Sequence, residues 1–158
     1  MTRVITGAAA WTGAGALAAT ALALTLSAQE ARVAHTAPKG SILVHVTHGP
    51  ENPTRAALAF LVARTAVEEG HRVSLFLAGD AVQLLRDPVL DGLTGVGTGR
   101  LREHYDAIVK GGGRFYLSGM SSSARGLSAA DLKEKPAELA PPAVLLRLSL
   151  EHERMFTY

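Results

Sequence analysis

ILVHVTHGPENPTRAALAFLVARTAVEEGHRVSLFLAGD, from Ile42 to Asp80, holds two short apolar runs with a helix-forming segment between them. The first run, Ile42 to Thr47, is mostly apolar and β-branched, and His48-Gly49-Pro50 ends it. A strand with no polar face needs cover on both sides, as in the middle of a parallel sheet. Asn52-Pro53-Thr54 then has the form of a helix start. An Asn side chain accepts a first-turn N–H, and Pro in the first helical turn forfeits no hydrogen bond. The helix is predicted to run from there to Glu69, with Gly70 suited to the left-handed residue beyond its end. Val73 to Leu77 forms a second strand closed by Gly79-Asp80, where Asp80 is expected to cap a short helix from Ala81 to Arg86.

The same alternation continues downstream. Asp87 to Gly99, with Gly92, Gly95, Gly97 and Gly99, reads as a flexible loop. Its Gly95-x-Gly97-x-Gly99 differs from G-x-G-x-x-G and has no clear strand before it, so it carries no dinucleotide fingerprint. Arg100 to Lys110 places Leu101, Tyr105 and Ile108 at helical spacing, and Gly111-Gly112-Gly113 stops it. Phe115-Tyr116-Leu117 is a third strand, and Ser128 with Asp131 is a capping box. Ala137 to Ala140 is a short fourth strand, Pro141-Pro142 opens a last helix to about Glu151, and Met155 to Tyr158 ends the chain as a strand. Strands alternating with helices describe an α/β fold, an open and mainly parallel sheet of about five strands with helices on both faces.

The 158 residues suffice for one domain, and 47% hydrophobic content gives it a core. Lys and Arg number 16 against 14 Asp and Glu, with no basic stripe and no interleaved aromatics, which argues against nucleic-acid binding. The chain has no cysteine, which excludes disulfides, thiolate nucleophiles, cysteine-ligated zinc and persulfide carriers. The six histidines have no metal-ligand spacing; His71 and His104 are expected at the surface and His152 near a helix end, so no metal or cofactor is expected.

Residues 1–28 read differently from the rest. Arg3 is followed by no charged residue until Glu30, and the interval is rich in Ala, Leu, Gly and Thr. A cation before an apolar stretch is the pattern of a signal peptide or of an uncleaved N-terminal membrane anchor. The stretch is about long enough to span a bilayer, and cleavage after Ala28 would leave Leu26 at the minus-three position, a poor match to A-x-A. Its many small residues favour cleavage. Residues 29–40 are then a linker, and 41–158 the folded domain, placed in the periplasm or cell envelope.

In an open parallel sheet, ligands bind beyond the carboxyl ends of the strands. That rule gathers His48, Asn52, Arg55, Asp80, Ser118, Met120, Ser121 and Arg125 near one rim as candidate ligand-binding residues. Arg55 falls on the same side of the first helix as Leu58, Val62 and Ala66, and so either faces the rim or a subunit contact, or runs past the core to water. Arg64 lies opposite, with Glu68 as its i,i+4 partner. Ser118 and Ser121 lie outside a G-x-S-x-G elbow, and only His48 and Asp80 offer themselves as triad partners. No catalytic residue is assigned.

RFYLSGMSSSARGL, from Arg114 to Leu127, resembles the stretch of DsrE/DsrF-like proteins in which a strand runs into a cysteine followed by small residues and an Ala-Arg-Gly-hydrophobic segment. Ile42 to Leu85 and Pro141 to Tyr158 share the likeness, which covers nearly all of 41–158. The resemblance implies a three-layer α/β/α sandwich, a homo-oligomer of trimeric or hexameric habit, and, in the best-known members, sulfur passed as a cysteine persulfide. The resemblance implies that Ser118 stands at the position of the family cysteine. An alcohol ionises far less readily than a thiol and its oxygen forms no persulfide, so that chemistry does not carry over.

The preferred expectation is an exported, non-catalytic module that binds a small anion or sulfur species, or assembles. The backbone N–H groups of Met120 to Ser123 and the charges of Arg55 and Arg125 would supply the donors. The alternatives are an accessory subunit in sulfur transfer whose partner supplies the cysteine, and a Ser118-dependent hydrolase. Membrane contact is expected only if residues 1–28 remain attached. N-terminal sequencing of protein from its native host should find residues 1–28 missing; an intact Met1 on soluble cytosolic protein would refute export.

Overall fold

The computed structural model describes residues 39–158, so the expectation for the N-terminal segment lies outside the described residues. β1 (Ser41–Val46), β2 (Arg72–Leu77), β5 (Arg114–Ser118), β6 (Ala137–Ala140) and β7 (Arg154–Thr157) form one sheet in the order β6-β5-β2-β1-β7. Every pairing in it is parallel. β1 and β2 pair over six residues, Ser41 opposite Arg72 through Val46 opposite Leu77. The chain steps outward from β1 through β2 and β5 to β6, then returns to the far side of β1 as β7. A two-stranded antiparallel hairpin, β3 (Thr94–Gly95) with β4 (Gly99–Arg100), stands apart.

The two faces of the sheet are covered unequally. Side chains alternate along a strand, so Val44, Val46, Val73, Leu75, Leu77, Phe115 and Leu117 share one face. Against them lie α1 (Pro53–Glu68) and α3 (Leu101–Lys110) in one large core. α1 buries Ala56, Ala57, Ala59, Phe60, Ala63 and Ala66, whose small side chains let the helix approach closely around the single large Phe60. The other face, with Leu43 and Phe76, is packed by Leu148 of α5 (Pro142–Glu151) and by Ala140 in a smaller cluster. Among the described residues no helix is long and apolar enough to cross a membrane.

Most local signals work as expected. Asn52 accepts the Arg55 N–H at 3.2 Å, Gly70 takes φ of 87°, and Ser128 and Asp131 form a reciprocal capping box. Three expectations are corrected. Asp87 to Gly99 is ordered, with a short helix α2 (Asp87–Gly92) followed by the β3–β4 hairpin. Burial of Leu90 and Leu93 holds it, together with charges remote in sequence. Arg102 of α3 bonds Asp91 at 2.6 Å, and Lys135 bonds Asp87 at 3.0 Å; Lys135 is the leading cause that holds the Asp87 carboxyl below its ordinary range. His104 is buried rather than at the surface, because its Nε2 reaches the Thr98 carbonyl at 2.6 Å inside the hairpin turn. Asp80 caps nothing: the 3-10 turn Gly79–Leu85 begins after Ala78 with no side-chain cap.

His45 of β1 lies 6.1 Å from the ring of Phe76, and its Nε2 is buried without a partner among the described residues. Burial lowers its pKa from the ordinary 6.5. The unfolded chain therefore binds a proton that the folded chain resists, so stability falls as pH drops below 6.5. Urea unfolding between about pH 7 and pH 5 should register that loss, and His45→Leu should flatten part of the slope.

Candidate functional site

β2 and β5 are neighbours, so the turns that follow them meet at one rim. The turn after β5 is the short helix α4 (Gly119–Ala124), and Ser118 is its N-cap. Ser118 Oγ accepts the Ser121 N–H at 3.3 Å. Ser121 Oγ in turn accepts the Gly79 N–H at 3.0 Å, stitching the β5 turn to the β2 turn. Arg125 donates from Nε to Asp80 Oδ1 at 2.8 Å and from NH1 to the Ser121 carbonyl at 3.3 Å. Arg86 adds a further tie, its NH2 bonding the Arg125 carbonyl at 2.7 Å.

The turn after β1 joins this cluster through Gly49. A Cβ there would collide with the Asp80 backbone, so only glycine permits the approach. Its N–H bonds both carboxylate oxygens of Glu51, at 2.9 and 3.0 Å. The Thr47 hydroxyl donates to the Tyr158 backbone oxygen at 2.7 Å. Its proton being spent there, it accepts from His48 Nδ1 at 3.3 Å.

Of the residues expected at the rim, Asp80, Ser118, Ser121 and Arg125 are brought into one hydrogen-bonded cluster. Met120 projects from it, 74% exposed. His48 sits in the adjoining turn with Thr47 as its hydrogen-bond partner. Asn52 is engaged as the α1 cap. Arg55 is exposed, as is Leu58 on the same stripe, while the alanines and Phe60 turn inward. The inner side of α1 is thus set by its small residues, and Arg55 takes no part in the cluster. Among the described residues no imidazole bonds Ser118, and Asp80 is held by Arg125 rather than by His48.

Sequence reasoning missed the parts of the cluster supplied by backbone and by distant arginine: the Gly79 N–H, the Asp80 contact at Gly49, and Arg86. Nothing in local spacing marks them, because each partner lies about thirty to forty residues away along the chain. Ser122, fully buried with no partner for its Oγ among the described residues, was equally invisible.

Chemically, the cluster is largely self-satisfied. The hydroxyl of Ser118 serves as a cap acceptor, and the guanidinium of Arg125 is neutralised by Asp80. That ion pair is partly solvated, with 27% and 49% of the two side chains exposed. Such pairs contribute about 0–1 kcal/mol, so a competing anion could displace it at little cost.

A model of the DsrE/DsrF-like family matches residues 40–158. Among solved structures, the ychN protein from E. coli is similar with a TM-score of 0.60 and 16% identity, over 75% of this chain and 99% of that one. BT1422 from Bacteroides thetaiotaomicron, a conserved protein of unknown function, is similar with a TM-score of 0.56 and 11% identity, over 75% of this chain and 95% of that one. These likenesses concern the fold. No curated protein matches.

Ser121→Ala should destabilise the protein by about 1–3 kcal/mol, since it strands the Gly79 N–H. Asp80→Asn should cost only about 0–1 kcal/mol, because the pair it breaks is half in water. Urea denaturation of the two variants checks the order; equal losses would mean that the turn-to-turn bond is not the stronger tie.

Proposed function

This chain belongs to the DsrE/DsrF-like family, and from that premise we propose that it is a non-catalytic binding and assembly module, exported to the periplasm or cell envelope, that carries no persulfide. The observation that carries the proposal is the state of residue 118: a serine at the tip of β5, its oxygen already committed to capping α4. Oxygen at this position makes no persulfide, and without a neighbouring base the hydroxyl is a weak nucleophile. What remains available is recognition and contact. In this reading the rim takes a small anion or sulfur oxyanion when Arg125 exchanges Asp80 for the ligand.

The assembly half of the proposal is supported by α5. Its inner side packs Leu148 against the sheet, while Leu146 and Leu150, one turn apart on its outer side, are 63% and 79% exposed. Met155 and Phe156 of the edge strand β7 are also exposed. A helix apolar on both sides is normally covered on both. The occupant in this reading is a second copy of the chain.

Light scattering on the mature protein should give a mass that is a multiple of the monomer. Leu146→Glu with Leu150→Glu should convert it to a monomer with unchanged circular dichroism, and a wild-type protein that is already monomeric would remove the assembly half. Sulfate or thiosulfate should raise the melting temperature, and Arg125→Ala should abolish that rise. Stabilisation that survives Arg125→Ala would remove the rim as the site.

A further inference from the structure

At the amino end of the sheet, opposite the rim, a second group of cations converges. Arg72 and Ser74 of β2 project to the same face as Phe76, and Arg114 and Tyr116 of β5 project to that face beside them. Ser74 lies directly opposite Arg114 in register, and Phe76 opposite Tyr116. This is the face that α5 covers, but the helix leaves one corner open. There a cavity of about 380 Å³ is lined by Arg72, Ser74, Arg114, Tyr116, Arg147 and His152, with Val73 and Leu148 among its apolar walls.

The wall between strands and helix is held by hydrogen bonds. His152 Nδ1 lies 2.8 Å from the Leu148 carbonyl, which can only accept, so that nitrogen carries the proton. In the neutral ring Nε2 then accepts from Ser74 Oγ at 3.1 Å, tying the end of α5 to β2. Among the described residues, Arg147 alone of the three guanidinium groups has a carboxylate, Glu151 at 2.9 Å, and Glu151 is the one acidic residue in the wall beside it at this end of α5. Among the described residues neither Arg72 nor Arg114 has a carboxylate within ion-pair distance. Glu138 shares a neighbouring hollow with Arg114, and Glu153 one with Arg72, without pairing. Uncompensated like charges around a recess repel one another and raise the local potential for an anion.

We propose that this arginine-lined cavity binds a small phosphomonoester. Guanidinium groups present forked donors that match phosphate oxygens, and several around one recess suit an anion of nearly two charges, which a phosphomonoester carries at neutral pH. The volume is at the lower end of that of ligand pockets, which fits a small molecule rather than a dinucleotide. The ring of Tyr116 and the side chain of Leu148 offer an apolar wall to the organic part of the ester. The site is separate from the rim: Arg114 opens β5 and Ser118 ends it, roughly 13 Å apart along the strand.

Calorimetric titration of the mature protein with phenyl phosphate, inorganic phosphate and phenol tests the assignment. Phenyl phosphate should bind saturably and more tightly than inorganic phosphate, and phenol should not bind. Arg72→Gln with Arg114→Gln should weaken phenyl phosphate by about tenfold or more, whereas Arg64→Gln, on the helix over the opposite face, should leave it unchanged. Amide shifts in the wild-type protein, which need no variant to fold, should cluster at residues 72–74 and 112–116. Absence of saturable binding, an unaltered affinity in the double variant, or shifts confined to residues 118–125 would each overturn the proposal; the last would favour the rim instead.

Discussion

The parallel pairing of β1 with β2 is the constraint from which the other features follow. Both strands lie inside the sheet, flanked by β7 and β5, and both carry apolar side chains on each face. Parallel neighbours cannot be joined by a tight turn, so each connection must cross over a face of the sheet. The crossovers supply the cover that the strands require, and they deliver every strand's carboxyl end to the same edge. The meeting of the Gly79 and Ser118 turns is therefore a consequence of the pairing of β2 with β5, and not of any attraction between the turns themselves.

Once assembled, that edge is held by its own polar groups. The Ser118, Ser121 and Gly79 relay satisfies donors that the end of a strand and the start of a helix would otherwise leave open. The Ser118 oxygen serves there as an internal tie.

The unequal cover of the two faces creates the remaining surfaces. α1 and α3 fill one side with a large core, whereas α5 alone lies on the other. A single helix cannot blanket a five-stranded sheet. Its outer leucines are left in water, and the corner beyond its last turn opens between Arg72, Arg114 and Arg147. One geometric shortfall accounts for both the apolar stripe and the cationic recess.

The elements of the fold were legible because their signals are local. Runs of β-branched residues mark β1 and β2, Asn52-Pro53 marks the start of α1, and the Ser128–Asp131 pair marks its own turn. The lack of cysteine, a matter of composition, removed sulfur relay without any coordinates. Which side of α1 faces inward was not legible, because apolar residues surround that helix and alanine gives little contrast. Nor was the order of Asp87 to Gly99, where Leu90, Lys135 and Arg102 act across sequence distance. Sequence by itself determined the main strands and helices, their succession and the chemistry excluded, since propensity, capping and residue identity are properties of neighbours in the chain. Only the tertiary structure decided that Ser121 binds Gly79, that Arg125 meets Asp80 and that three arginines share one recess, because strand order and register, which bring such residues together, are fixed by burial across the whole sheet.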